Sequence, residues 1–469
     1  MVTWALIVSA IGAVASVAAT CVMLIDVGRT PRQWAPYLER RANEHSPLIV
    51  GAVGLAAAWL NHADRLDVSE PLPLPASLGA SPARSGPDAT GRLRIVGTLA
   101  ELQQAVNTAQ PGDVIQLLPG DYRQNGFRIG LVHPGTAQAP ITLRAARLGD
   151  AVIHSDVIEL FNIVAPYWQF ENLVFRGEDD WCEHAIHIVA GAEHLLIRNN
   201  RFEDFNAALK INAQSGLFPD DGVIAGNTFA NRKPRNTGSP ITPIDLDAAS
   251  DWDIRDNIIT DFVRAFPGGA TYGGYAKGSG AGNIFERNLV VCTWKLHGYP
   301  GAQVGLSLGG GGTGPQFMRD GGRSGIEQFH GVIRDNLIVS CGDAGIYLNR
   351  AAGSIIEHNT LLDTSGIEVR FPQSSARITA NMIDGIITTR DGGNADLQDN
   401  LVSNLLGLFV GWHPVRGYFN QPVSLDLTWR DTPAGIADGG ASTDLCGHHR
   451  ALESRPGAFD DFSRCLAGR

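Results

Sequence analysis

The sequence predicts an all-β solenoid, a right-handed parallel β-helix, and three observations carry that expectation. The first is a repeat. An apolar residue, two polar ones, an Asn, one further residue and an apolar one recur at Asn172, Asn200, Asn227, Asn257, Asn288, Asn336, Asn359, Asn381 and Asn400, for example as Ile333-Arg-Asp-Asn-Leu-Ile338. Intervals of 19 to 31 residues, with one of 48 that must hold an insertion, mark units that bury their apolar faces only by stacking on neighbours. The second is the pair of short β-rich runs flanking each Asn, which excludes helical repeats. Asn tolerates the left-handed backbone of a sharp bend, and stacked Asn side chains can hydrogen-bond as a ladder. The third is composition: 55 Gly, 7 % aromatic and 18 % charged residues suit short strands joined by tight turns.

The 469 residues carry a net charge of −11, with no basic stripe to displace counterions, so nucleic acid is excluded as a partner. From the N-terminus, residues 1–66 read as an anchor or signal region. Trp4–Ile25 is an uncharged apolar run long enough to span a bilayer, and 48–60 is a shorter one. Arg29, Arg32, Arg40 and Arg41 lie between them and favour a cytoplasmic loop. In the alternative, 40–46 starts a signal peptide with its core from Leu48 and a cleavage site at Ala56–Ala58. Either way hydrophobic N-terminal helices tie the chain to a membrane at least transiently, and the solenoid is exported to a periplasmic or surface location. Residues 67–92, with Pro71, Pro73, Pro75, Pro82 and Pro87, read as a flexible spacer.

The solenoid then occupies 93–405. It opens with a strand at Leu93–Val96 and a helix whose Leu99, Leu102, Ala105 and Val106 have the spacing of a cover for the first coil. Residues 406–469 read as an irregular segment closing the far end. Of six Cys, Cys446 and Cys465 flank a patternless tail and suit a staple in an oxidising compartment; Cys292 and Cys341 are expected reduced in the core.

Pro111-Gly-Asp-Val-Ile-Gln-Leu-Leu-Pro-Gly-Asp-Tyr122, Ala139-Pro-Ile-Thr-Leu-Arg-Ala145 and Trp168-Gln-Phe-Glu-Asn-Leu-Val-Phe175 follow in that order. They resemble the opening coils of polysaccharide lyase family 6, which includes chondroitinase B and alginate lyases. The resemblance implies a pectin-lyase-like β-helix that cleaves uronate-containing polysaccharides by β-elimination, so the implied partner is an anionic polysaccharide.

Strand alternation then defines one polar face. Taking apolar residues as inward leaves Lys210, Asp245, Asp247, Tyr275, Lys277, Ser307, Tyr347, Asn349, Glu368 and Arg370 pointing outward as one stripe. Elimination needs a cation for the carboxylate, a base for the adjacent proton and an acid for the leaving oxygen. Lys277 stands where the resemblance places the catalytic Lys, with Tyr275 or Tyr347 as acid. The family's next-coil Arg is replaced by Gly309, and its two calcium-binding carboxylates align with Ala270 and Tyr272, so no cofactor is expected and calcium lacks its ligands. Asp245 and Asp247 are two oxygen donors, too few to indicate a metal site. The 48-residue interval holds His297, the run Gly309–Gly314, Arg319 and Arg323; this loop is expected to fold over the groove and deliver Arg319 to the substrate, with Arg370 as the other candidate cation. His184 and His187 read as scattered polar residues. A uronate epimerase and a non-catalytic glycan-binding scaffold remain the alternative functions.

Overall fold

The computed structural model describes residues 27–66, 68, 77–84, 91–124, 126–299, 301–437 and 443–466. Three parallel sheets run the length of the solenoid, and each coil crosses them in the order I, II, III. Sheet I has 12 strands, from Arg92–Val96 to Asn394–Gln398; sheet II has 11, from Gly120–Gln124 to Leu401–Val402; sheet III has 10, from Ile129–Leu131 to Ile386–Arg390. One continuous core fills the interior, including a stack of Phe175, Phe202 and Phe229 whose ring centroids lie 4.9 and 4.8 Å apart. The expected cover is present: helix Leu99–Asn107, with a Thr98–Glu101 capping box, buries Leu102, Ala105 and Val106 against the first coil.

At the corner between sheets I and II the Asn ladder forms from Asn200 to Asn400. In each step one Asn Oδ1 accepts from the backbone N–H and Nδ2 of the Asn before it; Asn257 Oδ1 does so for Asn227 at 2.8 and 3.1 Å. Two details depart from the sequence reading. Asn172 is one residue out of register, for it stacks beside Asn199, and Leu173 N–H donates to Asn200 Oδ1. The left-handed residue is also the one before the ladder Asn in the later coils, as at Asp256 (φ 57°), Arg287 (φ 50°) and Asp335 (φ 54°). The ladder Asn therefore satisfies the exposed backbone of the bend, and its neighbour makes the bend.

The N-terminal region is a helical hairpin on the flank of the solenoid. Trp4–Ile25 lies outside the described residues. Helices Pro31–Ala42 and Pro47–Asp64 both begin with Pro at a position where no amide is needed. The second contains the shorter apolar run, burying Ala57 and Leu60 against Trp34 and Ala35 while Leu48, Leu55 and Trp59 stay exposed. No described helix is long and apolar enough to cross a membrane. Fully buried Arg32 fixes the hairpin: Nη2 bonds Asp64 Oδ1 at 2.9 Å and Asp363 Oδ1 at 2.8 Å, and Nη1 bonds the Cys341 carbonyl. Within the expected spacer, residues 77–84 are seated on sheet II, where Ser81 N–H donates to Asn199 Oδ1 and Ala80 N–H to Thr228 Oγ1.

The C-terminal segment does not simply end the stack. After helix Leu405–Phe409 it folds back along the outside of sheet II, where Phe419, Leu427, Leu445 and Phe459 cluster with Ile258, Leu289, Val339 and Leu362. Cys446 and Cys465 are joined, as expected for a staple. Cys292 and Cys341, expected reduced, are also joined, because adjacent coils bring their Cα atoms to 4.9 Å.

Candidate active site on sheet III

Parallel pairing lines the outward residues of sheet III into two rows. The first runs His187, Lys210, Asp245, Tyr275, Ser307, Tyr347 and Glu368. The second, two residues further along each strand, runs Asn212, Asp247, Lys277, then Gly309, Asn349, Arg370 and Arg390. Every outward residue expected from alternation thus falls in one stripe. His187, read from sequence as scattered, begins it; its ring bonds Glu159 Oε1 at 2.9 Å and Asn212 Oδ1 at 2.7 Å.

The chemistry concentrates around Asp247. Lys210 Nζ lies 2.8 Å from Asp245 Oδ1 and 3.7 Å from Asp247 Oδ2, and Lys277 Nζ reaches Asp247 Oδ2 at 3.6 Å. The Lys277 ammonium also sits 5.0 Å from the centre of the Tyr275 ring. Burial works to raise the Asp245 carboxyl, but Lys210 and Lys277 outweigh it and hold the group below its ordinary value. For Asp247 burial prevails over the same two cations and the pKa is raised. Burial alone would discharge Lys210; the two carboxylates instead hold its pKa above the usual value. Burial and the Asp245 carboxylate push the Tyr275 phenol well above 10, so it stays protonated with its hydroxyl on Asp245. Asp247 Oδ1 and Asn349 Oδ1 are buried and have no hydrogen-bond partner within the described structure.

The Gly-rich insertion folds over this cluster. A β-carbon at Gly310 would lie 3.5 Å from Lys277 Cδ, and one at Gly311 would lie 3.9 Å from Asn349 Nδ2, so the loop lies in contact with both side chains. Glu327, at the loop's return, accepts from Gly278 N–H at 3.0 Å, and its pKa is raised by burial. Arg319 pins the loop: its guanidinium packs on Phe218, donates to the Ala248 carbonyl at 3.1 Å and pairs with Asp220. Arg323 and His297 are exposed on loops. Ser307 is fully buried, and its hydroxyl is used on the carbonyls of Gly309 and Tyr347. Tyr347 keeps an accessible phenol, with Asn349 Nδ2 at 3.2 Å and Arg370 Nη1 at 3.5 Å from its oxygen.

Calcium does not fit this donor set. It takes about six to eight oxygen ligands, whereas no group of three or more potential ligands occurs among the described residues, and Asp245 and Asp247 already hold two ammonium groups. Beyond Tyr347 the stripe enters a cavity of about 830 Å³ between sheet III and the hairpin, lined by Tyr272, Glu368, Arg370, Arg390, Arg29 and Arg40 among others.

Comparison with known proteins agrees with this architecture. Residues 184–405 match the model of the right handed beta helix region, and 96–217 match that of chondroitinase B. A crystal structure of the pectate lyase Pel9A superposes with a TM-score of 0.54 at 15 % identity, covering 82 % of this chain and all of the other. The fold is that of a right-handed parallel β-helix. A rhamnogalacturonan lyase is similar at 13 % identity over 67 % of this chain and 87 % of that one, with a TM-score of 0.46. A family 6 polysaccharide lyase from Pseudopedobacter saltans is similar at 14 % identity over 66 % of this chain and 92 % of that one, with a TM-score of 0.33. No curated protein matches the sequence.

Proposed function

We propose that the protein is a polysaccharide lyase that breaks a uronate-containing chain by β-elimination, and the observation that carries this is Lys277 in the outward stripe beside Asp247 and a locked Tyr275 phenol. Lys277, once its ammonium has given a proton to solvent, takes the proton from the carbon bearing the carboxylate. The released electron pair forms the new double bond, and the bond to the glycosidic oxygen breaks. That oxygen takes a proton from Tyr347, which is assigned as acid in preference to Tyr275 because the Tyr275 hydroxyl is held by Asp245. Lys210 supplies fixed positive charge beside the reacting carboxylate, since its own pKa is held up. Arg370 is assigned to a neighbouring uronate and Arg319 to loop anchoring, because the Arg319 guanidinium is already occupied. Lys277 is a general base on geometric grounds, a role worth about 10²–10⁴ in rate.

The test incubates the full chain with alginate, pectate and chondroitin sulfate and follows absorbance of an unsaturated product. Growth of that absorbance on one polymer is expected; none on any would refute the lyase. Proton exchange with inversion and no shortening, seen by NMR, would assign the epimerase instead. A non-catalytic glycan-binding role is supported by one observation: no arginine stands on the sheet III strand after that of Lys277, Gln303–Gly309, where Gly309 occupies the row. We also place the chain in an oxidising compartment, on the strength of two disulfides and the N-terminal apolar runs. Non-reducing peptide mapping that finds Cys292 and Cys341 unlinked would count against that.

A further inference from the structure

The trough on sheet III is open at one end and roofed at the other. All hydrogen bonds by which Arg32 and Gln33 fasten the hairpin to the solenoid go to late coils: the Cys341 carbonyl, Asp343 Oδ1 at 2.6 Å, Asp363 and Ser365. None among the described residues goes to the coils of Glu159 or His187. The roof belongs to the folded domain, because Arg32 is completely buried among carboxylates and His413 and Arg416 fasten the hairpin's end through the Ala63 and Asp64 carbonyls. Beneath it lies the cavity of about 830 Å³. That size is within the range of roughly 300–1,000 Å³ typical of ligand sites, room for a short oligosaccharide, and the cavity is partly open to solvent.

We propose that this cavity is an end-binding subsite, which takes the terminal carboxylate-bearing sugars of an anionic polysaccharide and so directs the protein to chain ends. Arg370 and Arg390 stand on the floor and Arg29 and Arg40 on the roof, four guanidiniums whose fork geometry suits carboxylates; Arg370 now pairs with Asp391 at 2.5 Å and Arg390 with Glu368 at 3.5 Å, partners that a sugar carboxylate would replace. Glu368, Asp343 and Glu39 also line the cavity, so the four guanidiniums outnumber its carboxylates by one. Arg370 lies three coils and Arg390 four coils beyond Lys277, about 14 and 19 Å along the axis at ~4.8 Å per coil. A chain whose end is lodged there would present an internal linkage a fixed, short distance away to Lys277. The inference rests on the reading of sheet III as a polysaccharide groove.

The test measures binding, so that it does not depend on cleavage. Full-length Lys277→Ala is titrated calorimetrically with alginate, polygalacturonate and chondroitin sulfate, each as short chains and as chains about tenfold longer, at equal mass of uronate. An end subsite predicts that affinity expressed per uronate falls about tenfold with the longer chains, because ends become tenfold scarcer. Gly54, on the roof, lines the cavity, and a β-carbon there would meet nothing within 4 Å. Gly54→Glu should weaken binding about tenfold, Gly54→Lys should preserve or strengthen it, and Gly54→Ala should change nothing. Affinity per uronate that is independent of chain length, equal affinity of the Glu and Lys variants, or no binding to any of the three polymers would overturn the proposal. Failure of the lyase reading is separate: the wild-type chain would form no unsaturated product while end-proportional binding remained.

Discussion

At the corner between sheets I and II, coil after coil repeats one residue in one pose; on sheet III successive coils present Lys210, Asp245, Tyr275, Ser307, Tyr347 and Glu368. The two regions share a backbone spacing and differ in what their side chains are for. The ladder satisfies buried bends, a requirement identical in each coil, so its sequence is periodic. On the proposed reading the stripe faces a substrate whose contacts differ along its length, so periodicity breaks there. Function in this solenoid lies where the repeat fails to repeat.

The contrast can be broken experimentally. The largest stability effect is expected from Asn257→Ala, which removes bonds to the Ile224 carbonyl (2.9 Å), Asn288 Oδ1 (3.0 Å) and Asn227 N–H (2.8 Å) and leaves the buried Asn227 N–H without its acceptor. Urea unfolding should show a loss of about 3 kcal/mol with activity per folded molecule unchanged. A loss under ~0.5 kcal/mol would mean that the ladder follows the bend and does not support it.

Lys210→Met tests the other side. It strips the ammonium from Asp245 and Asp247, with a loss of about 2–3 kcal/mol expected, less than the full effect of breaking a sealed ion pair because both residues retain some exposure. Calcium should change the melting temperature of neither protein, since Asp247 keeps its contact with Lys277 and two carboxylates are too few ligands for the ion. Calcium stabilisation of the variant would show that the carboxylates can hold the ion once Lys210 is gone.

The smallest effect concerns the roofed end. Burial raises Asp384, but its hydrogen bond with His413 at 2.6 Å and the Arg416 charge prevail and bring its pKa down to about 2 from 3.8. A depressed carboxyl contributes stability that is present above the unfolded value and lost as pH falls through the folded one. Between pH 3.8 and about 2 the wild type should therefore lose about 2 kcal/mol that Asp384→Asn never had. Parallel acid-unfolding curves for the two proteins would remove Asp384 from the account of how the hairpin is held.

Much of the fold was legible because burial imposes period two on strands and a fixed spacing on bends. The pairing of Asp247 with Lys277 across adjacent coils followed from that alternation. The slip at Asn172 arose because Asn is chemically suited both to the bend and to the ladder position after it. His187 could have been found by extending the alternation through Ile186 and Ile188. The roof could not: Arg29 and Arg40 resemble the charges of a membrane-flanking loop, and only tertiary packing of Arg32 on Asp363 brings them over Arg370. Ser307 shows the opposite limit, for its parity is outward yet the Gly309 and Tyr347 carbonyls take its hydroxyl.

The most direct measurement compares wild type with Lys277→Ala in the full chain, recording unsaturated-product absorbance and thermal unfolding on the same samples. Activity should fall by about 10²–10⁴ while the unfolding midpoint stays within a few degrees, because Lys277, though only 15 % exposed, lies on the outer face and outside the apolar core. An active Lys277→Ala protein, or one that loses activity only because it unfolds, would contradict the assignment of this stripe as the catalytic groove.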